Sequence, residues 1–188
     1  MKNNLSSILT FSALVAFLVF GGMTSAQAQE EPTFSVSGTV DSYYRSSEYA
    51  PGTSFANLNG FSLGMANIVL SYEGEKSGFV ADLVYGPRGA DAVFGSTGSS
   101  NIVNQLYVYY DVSDSFTLTL GNFNTFLGYE VISPAANFNY STSYMFSYGP
   151  FSHTGLKADI ALSDDVSLML GVLNTTDETE SQPAGDDY

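Results

Sequence analysis

Acidic, tyrosine and lysine side chains recur at alternate positions in several segments of this chain. If those segments are β-strands, alternate residues share one face of a sheet, and these side chains would form one hydrated surface. Charges on the wall of a hydrated pore bias which ions enter it, although most inward-facing residues of any barrel only keep the interior wet. The candidates for such a wall are Asp41, Tyr43, Asp82, Gln105, Tyr107, Tyr109, Asp111, Lys157 and Asp159.

A second set of candidates lies in the long segment 122–150, which is rich in Phe and Tyr. Exposing so much aromatic surface to water is unfavourable. The segment is therefore expected either to fold back into a barrel interior and narrow it, or to contribute a further pair of strands. The candidates for constriction are Phe126, Tyr129, Glu130, Phe138 and Tyr140.

No group of residues has the spacing of a catalytic or metal site. His153 is the single histidine, and Glu130 is 23 residues away in the sequence; a metal site or an acid–base pair needs more partners than this. An acidic cluster near residue 180 lacks the order and the glycine of a calcium loop, so a solvated tail is expected. It consists of Asp177, Glu178, Glu180, Asp186 and Asp187. The sequence predicts no enzyme, no metal and no cofactor.

Residues 1–28 have the pattern of a secretory signal peptide. Lys2 precedes an apolar run from Ile8 to Phe20, and small residues follow up to Ala28. The run is shorter than the about 20 apolar residues that a membrane-spanning helix needs; an N-terminal anchor helix is the alternative. Export is therefore predicted, with a barrel portion over residues 29–174 and an acidic loop or truncated tail over 175–188.

Charge and composition exclude some partners. The formal net charge is −14, and all 19 acidic residues follow the predicted signal peptide. Nucleic acid is excluded as a partner because its phosphates require clustered Lys and Arg. With no cysteine in the chain, an exported fold must be held by backbone pairing, packing or a membrane instead of disulfides.

Seven segments alternate between apolar and polar residues, which is typical of a β-strand with two different environments. They cover residues 34–44, 66–73, 79–85, 105–111, 116–121, 155–162 and 166–172. Phe61, Leu63 and Met65 are out of phase with this pattern, so a β-bulge is expected near Ala66 or Asn67.

Two further features favour a transmembrane barrel over a β-sandwich with an aromatic core. Short connections alternate with long ones, as in an up-and-down antiparallel barrel. Aromatic residues also occupy both ends of the apolar face, where a barrel meets the membrane–water boundary: Phe34, Tyr44, Tyr72, Phe79, Tyr85, Tyr110 and Phe116. At about 3.3 Å per residue and a tilt near 45°, the stretch from Phe34 to Tyr44 spans roughly 23 Å, close to the usual apolar band of about 25 Å.

The predicted strand count is odd, whereas bacterial single-chain barrels have an even number of strands. Seven strands in lipid would leave two edges with unpaired backbone groups, which is costly. The chain is therefore expected to be an incomplete, N-terminal portion of a larger barrel. The gene sequence downstream of residue 188 would test this expectation.

Three motifs are distinctive: GYEVIS at residues 128–133, NFNYS at 137–141 and GPFSHTG at 149–155. With them, the chain from about Phe34 to Asn174 resembles the OmpL-like β-barrel porins. The resemblance implies an outer-membrane barrel that passes small solutes, and it implies no catalytic residues. Asn122 departs from the family, whose members commonly have a basic residue there, and family members are longer.

Three functions are compatible with these features. The first is a water-filled channel for passive diffusion of small hydrophilic solutes or ions across the bacterial outer membrane. The second is a barrel-anchored structural or adhesive surface protein, and the third is a soluble secreted β-sandwich that binds a ligand. The expected partners are outer-membrane lipid and small solutes, and self-association into a homo-oligomer is left open.

Overall fold

The computed structural model describes residues 31–49, 52–55 and 58–180. The described residues from Pro32 onward form one compact unit. The predicted signal peptide, residues 1–28, lies outside the described residues, as do Asp186 and Asp187 of the acidic cluster.

Seven antiparallel strands form a single sheet in which each strand pairs with its neighbours in sequence. Alternation between β-branched or aromatic residues and polar residues suits strands whose two faces have different surroundings. The strands are β1 (Thr33–Arg45), β2 (Gly60–Glu73), β3 (Ser77–Tyr85), β4 (Val103–Ser113), β5 (Phe116–Asn124), β6 (Ser152–Ser163) and β7 (Val166–Leu173). The predicted all-β meander of seven strands is confirmed.

The connections differ in length at the two ends of the strands. At the short end, the β2–β3 turn closes with the Gly74 N–H donating to the Ser77 carbonyl at 2.9 Å. At the other end lie helices α1 (Pro87–Ala92) and α2 (Tyr144–Tyr148) and the 3-10 helices Gly98–Ile102 and Pro134–Ala136. The β5–β6 connection contains helical turns and no strand, so the alternative of a further strand pair there is wrong.

None of the described helices is long and apolar enough to cross a membrane.

The apolar face of the sheet is uncovered. Val108, Leu120 and Leu170 come from three different strands, and they are 54%, 57% and 55% exposed. The described residues form one sheet only, so no second sheet packs on this face as it would in a sandwich.

The hydrophobic core lies on the opposite face, where the long connections fold over the strands. Val84 of β3 and Ile132 of the β5–β6 connection are both 1% exposed. Burying an aliphatic side chain of this size contributes about 1.5–3 kcal/mol. Loops therefore supply most of this core, whose members are Phe55, Met65, Val84, Ala92, Val93, Ile132, Phe146 and Phe151.

The two edge strands, β1 and β7, each pair on one side only within the described residues, so the sheet is open there. A β-bulge lies between the pairs Val40–Ala66 and Ser42–Leu63, where β2 has one residue more than β1. Gly64 and Met65 lie there opposite Asp41, directly before Ala66, so the predicted bulge is present.

Candidate functional site

The predicted wall residues lie in three different environments on the polar face. Asp41 and Tyr43 of β1 contact Tyr140 of the β5–β6 connection. Asp82 is buried in a polar network. The other six line one cavity between β4 and β6, namely Gln105, Tyr107, Tyr109, Asp111, Lys157 and Asp159.

This cavity, which we call the β4–β6 cavity, has a volume of about 570 Å³. Strand register places Asp111 of β4 opposite Thr117 of β5, and Thr117 opposite Asp159 of β6. The Thr117 hydroxyl donates to Asp111 Oδ1 at 2.6 Å. Two carboxylates on separate strands thus flank one hydroxyl on the wall of the cavity.

Lys157 brings a positive charge into the β4–β6 cavity. Its Nζ donates to Asp159 Oδ2 at 2.6 Å and lies 5.4 Å from the centroid of the Phe123 ring. A cation over an aromatic face is attracted by the negative potential of the ring. The side chains of this pair are 23% and 44% exposed, so the ion pair contributes at most about 1 kcal/mol to stability.

Tyr140 fixes the β5–β6 connection to the sheet. Its hydroxyl donates to Asp41 Oδ2, and its ring centroid lies 5.3 Å from that of Tyr43. Asp41 Oδ1 also accepts from the Met65 N–H at 3.0 Å. Burial, together with the nearby Asp41 carboxylate, raises the pKa of the Tyr140 hydroxyl. The hydroxyl therefore stays protonated and remains a donor.

Arg88 of α1 completes this arrangement, although no sequence pattern marks it as a functional residue. It is 3% exposed, and it donates from Nε to the Ile132 carbonyl at 2.8 Å and from Nη1 to the Tyr140 carbonyl at 3.0 Å. Its guanidinium lies 4.5 Å over the Phe55 ring, and burial lowers its pKa. We call Asp41, Tyr140 and Arg88 the loop anchor. They come from β1, the β5–β6 connection and α1, which are distant in sequence, and they hold the two connections at one point of the sheet.

Asp82 belongs to a polar network that crosses four strands. The Thr39 hydroxyl donates to Asn67 Oδ1 at 2.7 Å, and Asn67 Nδ2 donates to Asp82 Oδ1 at 3.0 Å. Asn104 Nδ2 donates to the other Asp82 oxygen at 2.6 Å. Since Asp82 is only 5% exposed, its carboxylate holds the strands together and is not an open wall charge.

Asn122, the position where the chain departs from the resemblance, extends this cross-strand bonding. Its Nδ2 donates to the Asn104 carbonyl at 2.8 Å, and its Oδ1 accepts from the Thr154 hydroxyl at 2.9 Å. One carboxamide thereby joins β4, β5 and β6. The alternating pattern did not reveal this role, because it shows which face a residue occupies and not its partner.

Phe126 lines the β4–β6 cavity, and the three remaining predicted constriction residues lie at a different cavity. Tyr129, Glu130 and Phe138 line a second cavity of about 500 Å³ formed by the β5–β6 connection itself. Phe138 is 90% exposed and Tyr129 is 74% exposed, so folding does not bury all the aromatic rings of this segment. Glu130 accepts from the Ser143 N–H at 2.8 Å and also from the Ser143 hydroxyl, next to the start of α2.

His153 and Glu130, the two residues considered for an acid–base or metal pair, bind different partners. His153 is 4% exposed; its ring stacks on Phe126 with centroids 4.5 Å apart, and its Nε2 lies 3.1 Å from Thr125 Oγ1. In the described part of the chain, no three His, Asp or Glu side chains come together as metal ligands would.

Part of the acidic cluster packs on the protein. Asp177 Oδ1 accepts from the N–H groups of Phe151 and Ser152 at 2.6 and 3.0 Å, and Glu180 Oε1 accepts from the Ser100 hydroxyl at 2.9 Å. Asp177 is therefore half-buried against the start of β6, whereas Glu180 remains exposed, as expected for a solvated segment.

The predicted girdle residues lie near the strand ends. In the short-turn half, Phe34, Tyr72 and Phe79 share one row across β1, β2 and β3, and the last two rings stack at 5.9 Å. In the long-connection half, Tyr44 packs on Phe61 at 4.7 Å. The sequence prediction omitted Phe61, since the bulge reverses its phase. The remaining predicted girdle residues are Tyr85 on β3, Tyr110 on β4 and Phe116 on β5.

Comparison with known proteins identifies one family. Its description is "Putative beta-barrel porin-2, OmpL-like", and its model matches residues 33–187 of this chain. No curated protein and no solved structure matches the chain.

Proposed function

Since the chain belongs to this family of OmpL-like β-barrel porins, we propose that it forms a water-filled channel in the bacterial outer membrane. Small hydrophilic solutes or ions would diffuse through the channel passively. Export by the predicted signal peptide and contact with membrane lipid are part of this proposal. The channel needs no catalytic group and no cofactor.

The observation that carries the proposal is the contrast between the two faces of one sheet. The apolar face exposes aliphatic side chains in the middle of its strands, and a continuous exposed apolar surface marks contact with another apolar phase. The opposite face carries carboxylates, hydroxyls and carboxamides. Lipid on one face and water on the other would satisfy both. In the membrane, both edge strands must then be paired.

The loop anchor gives the channel a constriction. It fixes the β5–β6 connection over the polar face of β1, at Asp41, and Arg88 also binds the carbonyl of Ile132, a buried residue of the same connection. A segment held there occupies space that solutes would otherwise cross. The β5–β6 connection therefore limits the size of solutes that pass.

Reconstitution of the full-length protein in planar lipid bilayers tests the proposed function. We expect discrete single-channel currents from detergent-extracted protein. Protein that inserts stably and carries no current would favour the barrel-anchored surface protein instead. Protein that carbonate releases from membranes without detergent would contradict the membrane location itself.

Deleting residues Asn137 to Tyr144 should increase the single-channel conductance, because it removes Tyr140 and shortens the constricting connection. The control is Tyr148→Phe, which removes only the hydroxyl of a side chain that is 85% exposed in the same connection. It should leave the conductance unchanged. An unchanged conductance in the deletion variant, with normal insertion, would exclude a constricting role.

A further inference from the structure

Two carboxylate oxygens in the β4–β6 cavity have no protein donor among the described residues. Asp111 uses Oδ1 to accept from Thr117, and Asp159 uses Oδ2 to accept from Lys157, both at 2.6 Å. The second oxygen of each carboxylate keeps its lone pairs for another donor. A solute that carries N–H or O–H groups could therefore bind both residues.

The charge of the cavity selects among such donors. Its ionisable lining groups at neutral pH are two carboxylates and the Lys157 ammonium, which leaves an excess of negative charge. Lys157 is already paired with one carboxylate, so Asp111 has no cationic partner in this wall. A negative wall of this kind attracts cations and repels anions.

The way in which the wall holds Lys157 shows which cation fits. An alkylammonium group lies there between the Asp159 carboxylate and the face of the Phe123 ring. Tyr107 and Tyr109 add two further aromatic rings on the β4 side of the cavity, and Tyr109 is the neighbour of Asp111 on the same face of the strand. The Asp111 side therefore repeats the combination of carboxylate and aromatic surface that already binds an ammonium at Asp159.

We propose that the β4–β6 cavity binds short aliphatic amines in their ammonium form, so that organic cations are a preferred class of solute. This inference rests on the proposed function, because it places the site on the channel wall. Asp111 and Asp159 are two strands apart, about 10 Å between backbones. A diamine can therefore bind one carboxylate with each end while its methylene chain crosses β5 at Thr117.

Calorimetric titration of the folded full-length protein in detergent with 1,5-diaminopentane tests the proposal. We expect saturable binding of the diamine and none of 1,5-pentanediol, which has the same length without charge. Asp111→Asn should weaken diamine binding about tenfold, since it removes a charge-assisted hydrogen bond. Asp114→Asn is the matched control, because Asp114 is exposed in the β4–β5 turn; binding should not change.

Lys157→Gln provides a second variant, for which the expected change in diamine affinity is an increase instead of a decrease. It frees the Asp159 carboxylate and the Phe123 ring, so diamine affinity should rise severalfold even if Asp111→Asn fails to fold. Equal binding of the diol, equal effects of the two aspartate variants, or weaker binding by Lys157→Gln would each overturn the proposal. Bilayer currents from the same samples distinguish failure of the amine site from failure of the channel function. Currents without diamine binding would contradict only the amine site. Diamine binding without currents would contradict only the channel function.

Discussion

At the scale of single residues, one hydroxyl determines where the longest connection lies. Tyr140 donates to Asp41 while its backbone carbonyl accepts from Arg88. Without that hydroxyl, Asp41 Oδ2 loses its donor in a part-buried site. Leaving such an acceptor unsatisfied costs more than an average hydrogen bond contributes.

Tyr140→Phe should therefore lower the free energy of unfolding by about 1–3 kcal/mol, measured by urea unfolding in lipid vesicles. Tyr129→Phe is the control, because Tyr129 is 74% exposed and should change stability by less than about 0.5 kcal/mol. Equal effects of the two substitutions would argue against the loop anchor.

The same hydroxyl predicts a dependence of stability on pH. The pKa of Tyr140 in the folded protein lies above its usual value of 10.0, so the folded state holds this proton more tightly than the unfolded state. Its contribution is complete below pH 10.0 and is lost as the pH rises towards the folded pKa. The difference in unfolding free energy between wild type and Tyr140→Phe should shrink above that pH. A difference that stays constant would contradict this linkage.

At the scale of elements, the bulge in β2 creates the space in which the loop anchor forms. A Cβ atom at Gly64 would lie 2.5 Å from Asp41 Cγ and 2.6 Å from Tyr140 Oη, distances that real structures do not tolerate. A residue without a side chain is therefore required at this point of the sheet.

Gly64→Ala should displace the loop anchor, lower the free energy of unfolding by about 1–3 kcal/mol and increase channel conductance. Gly171→Ala is the control, since a Cβ there would have no neighbour closer than 3.5 Å; it should be neutral or slightly stabilising. Retention of full stability and normal conductance by Gly64→Ala would show that the bulge does not position the connection.

The strands could be predicted from sequence, whereas the connections could not, for a physical reason. Contact with two different media imposes a period of two on each strand, so segments such as 105–111 reveal their conformation locally. The bulge is predictable because Phe61 and Leu63 break that period. Contacts such as Arg88 with Ile132 or Asp177 with Phe151 join distant residues and leave no periodic signal. Six of the nine predicted wall residues line one cavity, because alternate residues share a face, whereas the burial of Asp82 depends on tertiary packing.

At the scale of the whole described unit, one sheet separates two environments. Its uncovered apolar face would contact lipid, and its polar face holds the anchored connection and the β4–β6 cavity. The channel, its constriction and its preference for organic cations all depend on this separation. Because the chain contains no cysteine, a single introduced cysteine can report on each face without interference.

The most direct measurement places a fluorophore on single cysteines at successive positions of β4, Leu106 to Asp111, in protein reconstituted into lipid vesicles. Brominated lipid should quench the label at Leu106, Val108 and Tyr110, and aqueous acrylamide, which is uncharged, should quench it at Tyr107, Tyr109 and Asp111. Quenching by acrylamide at all six positions, or quenching that does not alternate, would contradict the account.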